Sequence, residues 1–181
     1  MTLLPFDTRG AWRRYTTADG LAALQTESIV EDGDGYLWIA TVTGGVSRFD
    51  GETFRTYTTR DGLSSDDVRS LCVDGNGRLW CGTMGGLCWL DGDRFRTLET
   101  GVVVGRQCIM FLFEDSRGWL WIGGWGRGSL DSPICGYWDG DRYTDLLPDF
   151  EAVTSDRIGT CWGICEDQDG AVWFAAENLV R

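Results

Sequence analysis

The 181-residue chain is 43% hydrophobic and contains 26 glycines, apolar mass enough for one packed domain and a turn density about twice the usual glycine share of roughly 7%. Its 28 acidic residues outnumber 16 basic ones, all Arg, giving a net charge of -12 that argues against nucleic acid or an anionic membrane surface as partner. With neither His nor Lys, the chain has no imidazole base or zinc ligand, no Schiff-base lysine and no phosphate-loop lysine.

The first predicted element is a partial one. Residues 3–17 carry the third and fourth strands of a unit that recurs downstream: Phe6-Asp7 aligns with Phe49-Asp50, and Trp12 to Tyr15 with Phe54 to Tyr57. A whole unit spans about 26–58. Its four short strands read SIVED from Ser28, YLWIAT from Tyr36, GVSRFD from Gly45 and TFRTYT from Thr53, each rich in β-branched and aromatic residues. The breaks between them are Asp/Gly turns, which make neighbouring strands antiparallel hairpins. A second unit spans about 67–98 and a third 108–147. The last, 160–181, stops where its third strand begins and is completed by 3–17.

An acidic turn followed by an apolar pair anchors every unit. Asp32, Asp74, Asp115 and Asp167 each precede Trp38, Trp80, Trp121 and Trp173 by six residues, and the Trp spacings are 42, 41 and 52. A period near 41 is that of four-stranded propeller blades. Four short strands cannot bury both faces alone, whereas blades stacked around an axis can. The expected fold is therefore all-β, a propeller segment of four-stranded antiparallel blades with about four blade equivalents, the termini sharing one. A small closed ring, a fragment of a longer propeller and a ring assembled from several chains all remain open, and termination inside a strand pattern favours the fragment. Each repeated Trp is the expected wedge between blades, worth roughly 4–6 kcal/mol as an upper bound on burial.

The seven cysteines show no CxxC spacing. Cys72 and Cys165 stand where other units place Val30 and Phe113, Cys81 where they place Ile39, and Cys161 where they place Val68 and Ile109. Buried free thiols are the expectation. The Asp-rich turns suggest calcium at first, but the closing Glu of a calcium loop is missing and Arg117 replaces a second acid, so they read as hairpin turns and no metal is expected. The GG and GWGRG stretches precede no helix, which removes a phosphate cradle, and no cofactor is expected.

The repeats EDGDGYLWIATVTGGVSRFDGETFRTYTTRDGLSSDDV and VDGNGRLWCGTMGGLCWLDGDRFRTL resemble the two-component regulator propeller repeat over nearly the whole chain, about residues 6–181. The third unit departs through its insertion and the fourth is incomplete. The resemblance implies the sensory propeller, usually of seven blades, of a hybrid histidine kinase or another bacterial signalling protein. Many of these sit in the periplasm and report carbohydrate breakdown products.

Ligand chemistry is expected where the units differ, on the rim formed by the second-to-third-strand turns and the connections between blades. Arg60, Arg106, Trp125, Arg127 and Arg157 fall there, and aromatic surface with guanidinium donors suits a sugar or a carboxylate. A protein partner or self-association as scaffold is the alternative. A propeller lyase or hydrolase built on Asp66, Asp67, Asp131 and Asp156 is a minor one, since their spacing resembles that of ordinary loop acids; no catalysis is expected. The N-terminus lacks a signal-peptide pattern, so the expected setting is cytoplasmic as written, or periplasmic within a larger membrane sensor.

Overall fold

The computed structural model describes residues 12–98, 107–125, 133–149 and 163–175, with strand backbone at 179–180. The first sheet contains β1 (Thr26–Glu31), β2 (Leu37–Thr41), β3 (Gly45–Phe49) and β4 (Phe54–Tyr57). The second contains β5 (Val68–Val73), β6 (Leu79–Thr83), β7 (Gly86–Asp91) and β8 (Arg94–Thr97). The third contains β9 (Cys108–Glu114), β10 (Leu120–Trp125), β11 (Pro133–Trp138) and β12 (Tyr143–Asp145), and the fourth β13 (Gly163–Glu166), β14 (Val172–Ala175) and β15 (Leu179–Val180). Each sheet is an antiparallel meander in chain order. The completion of the fourth sheet by the N-terminus involves residues 1–11, outside the described residues; residues 12–16 form no strand.

Alternation along each strand sends apolar side chains to both faces, and the sheets stack through those faces. Trp38, Ala40, Val46 and Tyr57 of the first sheet pack on Leu71, Leu79, Cys81, Cys88 and Phe95 of the second. Trp80, Leu87 and Leu98 continue onto Ile109, Leu120 and Ile122 of the third, and Trp121 and Cys135 onto Val172 and Phe174 of the fourth. The first strands touch one another from sheet to sheet, β1 to β5 to β9 to β13, which places them innermost, around the axis of a β-propeller.

The wedge role holds for three of the four tryptophans: Trp38, Trp80 and Trp121 are 2%, 3% and 6% exposed. Trp173, in the fourth sheet, is only half-buried. Cys81, Cys88, Cys108 and Cys135 are buried, and half-buried Cys72 has its thiol pushed up to about 11, chiefly by burial. Cys165, on the first strand of the fourth sheet, departs from expectation and is exposed. Cys161 lies outside them.

Candidate functional site at one rim

The two ends of the blades differ in kind. At one end, each first-to-second-strand turn is organised by its Asp. In the first sheet Asp32 Oδ1 accepts from the N–H groups of Asp34 and Tyr36, both at 3.0 Å, while Oδ2 accepts from the Trp38 indole N–H at 2.6 Å. The same three bonds recur at Asp74, Asp115 and Asp167, with indole distances of 2.8, 2.8 and 2.6 Å to Trp80, Trp121 and Trp173. Gly35, Gly77, Gly118 and Gly170 close these turns at φ between 79 and 85°, the left-handed region that a side chain resists. The constant six-residue interval is thus the reach of one carboxylate from its turn to its wedge.

Asp115 shows the electrostatics. Burial pulls its carboxyl up, but the Trp121 indole, the Trp119 N–H and Arg117 together outweigh that and hold it below the ordinary carboxylate range. Glutamates then join blade to blade. Glu114 accepts from the Gly75 N–H of the preceding turn at 2.6 Å, and Glu166 accepts from the Ser116 N–H and hydroxyl at 2.8 and 2.7 Å. This end is uniform and structural, and among the described residues no group of three or more His, Cys, Asp or Glu gathers to hold a metal.

The opposite end repeats its backbone bonds but carries different side chains from blade to blade. The β2–β3 turn meets the connections on either side: Val42 N–H donates to Gln25 O at 3.0 Å, and Gly45 N–H to Asp66 O at 2.7 Å. One blade on, Met84 N–H donates to Asp67 O at 2.9 Å, and the Ser64 and Thr83 hydroxyls bond at 2.8 Å. Turns and connections therefore share one rim. Thr16 and Thr58 cap short 3-10 turns, Thr17–Asp19 and Thr59–Asp61, with Asp19 and Asp61 closing the reciprocal bond.

At this rim the innermost strands carry a feature absent from the sequence reading. Pairing of the first and second strands slips by one residue at the same place in three sheets, between Thr26 and Ser28, Val68 and Ser70, and Ile109 and Phe111. The extra residues are Glu27, Arg69 and Met110, and a bulge of this kind re-aims the side chain it carries. Arg69 bridges the first two blades, 3.4 Å from Glu27 and 2.6 Å from Asp67. Glu27 and Arg69 thus pair across the first two blades, and Met110 holds the equivalent position on β9. Bulges leave no compositional signal, so periodicity missed them.

The predicted site residues are placed unevenly. Trp125 ends β10, half-buried, paired with Cys108 and Pro133, on the variable rim. Its neighbour Gly124 admits no side chain, because a Cβ there meets the Cys108 carbonyl. Arg60 is exposed in its 3-10 turn and its carbonyl accepts from Arg94, which puts it over β8 at the outer circumference. No hydrogen bond or ring contact among the described residues joins Arg60 to Trp125. Arg106, Arg127 and Arg157 lie outside the described residues. Of the four acids considered for catalysis, Asp66 accepts from Thr59 N–H at 2.6 Å and Asp67 is held by Arg69, while Asp131 and Asp156 lie outside the described residues.

Comparison with known proteins accords with this geometry. The family model "Two component regulator propeller" matches residues 20–43 and 62–85. No curated protein sequence matches the chain. Among solved structures, the chain is similar to the extracellular domain of BT3049, described as a hybrid two component system of B. thetaiotaomicron, with a TM-score of 0.69 and 18% identity over 93% of this chain and 23% of that one. The extracellular domain of BT4673 from the same organism, likewise described as a hybrid two component system, gives 0.57 and 22% identity over 83% and 22%. Catalytically inactive virginiamycin B lyase from Staphylococcus aureus, with quinupristin, gives 0.55 and 15% identity over 83% and 48%. The chain spans about a quarter of the length of the two sensor domains, and these likenesses carry the β-propeller fold. No helix among the described residues is long and apolar enough to cross a membrane.

Proposed function

The chain carries two-component regulator propeller repeats, and from that premise we propose that it is a recognition module of a bacterial signalling protein, taking a small carbohydrate-type or carboxylate ligand at its variable rim and performing no catalysis itself. The observation that carries this reading is the asymmetry of the two rims. One repeats the same Asp-capped turn in every blade. The other changes side chain at one repeated bulge, Glu27 and Arg69 pairing across the first two blades and Met110 holding the equivalent position in the third, with Trp125 on the same rim. A carboxylate and a guanidinium supply paired hydrogen bonds to hydroxyls, and an indole supplies a flat apolar surface. As part of a membrane sensor the module would face the cell exterior or the periplasm.

A panel of neutral sugars and uronates, titrated by calorimetry and thermal shift, tests this reading. A hit should be lost in Arg69→Ala or Trp125→Ala while the melting temperature without ligand stays close to that of the unsubstituted chain. Binding that survives both substitutions would place recognition elsewhere. Turnover of a panel member, proportional to protein, would overturn the non-catalytic assignment.

A further inference from the structure

The second blade carries two cysteines face to face. Cys81 on β6 and Cys88 on β7 are register partners across an antiparallel pair, so both side chains leave the same face of the sheet, and both are fully buried. The plan of a blade does not ask for them. The same two positions hold Ile39 and Ser47 in the first blade, and Ile122 and Gly136 in the third. Among the described residues, no other cysteine has a cysteine opposite it in a strand pair: Cys72 meets Trp80, Cys108 meets Trp125, Cys135 meets Gly123 and Cys165 meets Trp173.

The backbone suits a bridge between them. The Leu98 N–H donates to the Leu87 carbonyl at 2.9 Å, so Leu87 turns its polar groups toward the outer strand and Cys88 turns its own toward β6. Cys81 and Cys88 are therefore a hydrogen-bonded pair, whose Cα atoms lie about 5.5 Å apart, within the commonest disulfide span of about 5.5–6 Å. The Cβ atoms of such a pair stand near the upper end of about 4.5–5.5 Å, wider than the roughly 3.5–4.5 Å of a relaxed bridge. Closure thus carries some strain, which leaves the bond readily reduced.

The sulfurs already interact. The Cys88 S–H donates to the Cys81 carbonyl at 3.6 Å, and the two thiols are within hydrogen-bonding reach of each other. Ser64 brings its N–H and its hydroxyl to the Cys88 sulfur, as the Ala22 N–H meets Ser47 Oγ at 2.9 Å in the first blade. Hydrogen bonds from Cys81 and Ser64 favour a thiolate at Cys88, whereas burial pushes Cys81 up, so Cys88 is the attacking sulfur.

We propose that Cys81 and Cys88 form a reversible disulfide, closed by exchange with a small-molecule disulfide. The Cys88 thiolate attacks one sulfur of that disulfide and expels the other as a thiolate. Cys81, its proton lost to solvent, then attacks the Cys88 sulfur and expels the second. The protein pair gives up two electrons and two protons, and the small disulfide is reduced to two thiols. Both sulfurs are enclosed once the blades pack, so exchange runs while the β6–β7 hairpin is unpacked. Only the Met84-Gly85 turn and two residue pairs separate the cysteines, and the hairpin alone brings them together.

Refolding from urea in glutathione buffers, from fully reduced to excess glutathione disulfide, tests the pair, with alkylation by iodoacetamide in urea and tryptic mass spectrometry as the readout. Cleavage after Arg78 and Arg94 leaves both cysteines, and no other, in the peptide 79–94. Under excess disulfide this peptide should be unalkylated and lighter by two hydrogens, the remaining cysteines alkylated, and the far-UV circular dichroism that of the reduced protein. Dithiothreitol should return both thiols. Cys88→Ser, which gives the position the residue type of Ser47, should fold and leave Cys81 without a bridge. Two alkylated cysteines in the peptide at every buffer composition overturn the inference. So does a bridge from either one to a different cysteine, or one that forms only in protein lacking the native spectrum.

Discussion

Replacing Asp115 tests the idea that one carboxylate per blade ties the turn to the wedge. Its side chain is fully buried and serves the N–H groups of Arg117 at 2.9 Å and Trp119 at 3.0 Å, the Trp121 indole at 2.8 Å, and the Arg117 guanidinium. Asp115→Ala leaves a buried indole N–H without its acceptor, at about 1–3 kcal/mol, and removes charge-assisted turn bonds worth about 1.5–3 kcal/mol each before water replaces them at the exposed turn. Relief of the carboxylate's own desolvation offsets part of this, and the exposed Arg117 adds little. The expected net loss is about 3 kcal/mol, measured by urea unfolding followed by far-UV circular dichroism. Asp115→Asn keeps an oxygen for the turn but sets an amide N–H₂ against the indole, and should lose about 1–2 kcal/mol. A cycle with Trp121→Phe isolates the indole bond. The folded carboxyl lies below its ordinary value, so its contribution is complete above about pH 4 and fades as pH falls through the folded value. The gap between Asp115→Asn and the unsubstituted protein should therefore narrow in acid. A loss below about 1 kcal/mol for the Ala variant, or an additive cycle, would refute the coupling.

Two further outcomes are expected. Gly82→Ala should destabilise by about 1–3 kcal/mol through overpacking between the second and third blades, because a Cβ there collides with Ser70 Oγ and comes within 2.7 Å of Ile109 Cγ2 and 2.9 Å of its carbonyl; an unchanged urea midpoint would contradict this packing. The Asp50 carboxyl, held down to about 2 by the N–H groups of Thr53 and Glu52 and the Thr53 hydroxyl, should stay ionised until pH falls to about 2. Carbon-detected NMR titration reads this directly, and a midpoint near the ordinary value of about 3.9 would show the β3–β4 turn to be open in solution.

The blades were legible in the sequence because their determinants are local. Strands read from Ser28, Tyr36, Gly45 and Thr53 lie within two residues of β1 to β4 at their starts, since Asp/Gly turns and alternating apolar residues define them without help from distant parts. The Asp-to-Trp interval was equally visible, but not its cause, since an indole reaching back to a turn carboxylate looks like two separate recurring choices. The Glu114 and Glu166 clamps were hidden for a different reason: each joins residues 39 or 50 positions apart, and nothing near either partner announces the other. The candidate site was legible only as a rim. Trp125 falls on it, whereas Arg60 is carried to the circumference by its 3-10 turn, and Glu27 and Arg69 owe their position to a slip in strand pairing.

The Asp–Trp bond also bears on how such a molecule acquires its size. Both partners belong to one hairpin, so the wedge is aimed by its own blade before any neighbour arrives. Contacts this short in sequence form early and without long loop closures. A blade is then a self-instructing part, and duplicating or deleting a whole one leaves every remaining wedge correctly aimed. The circumference of the ring is free to drift over evolutionary time while the rules of its assembly stay the same.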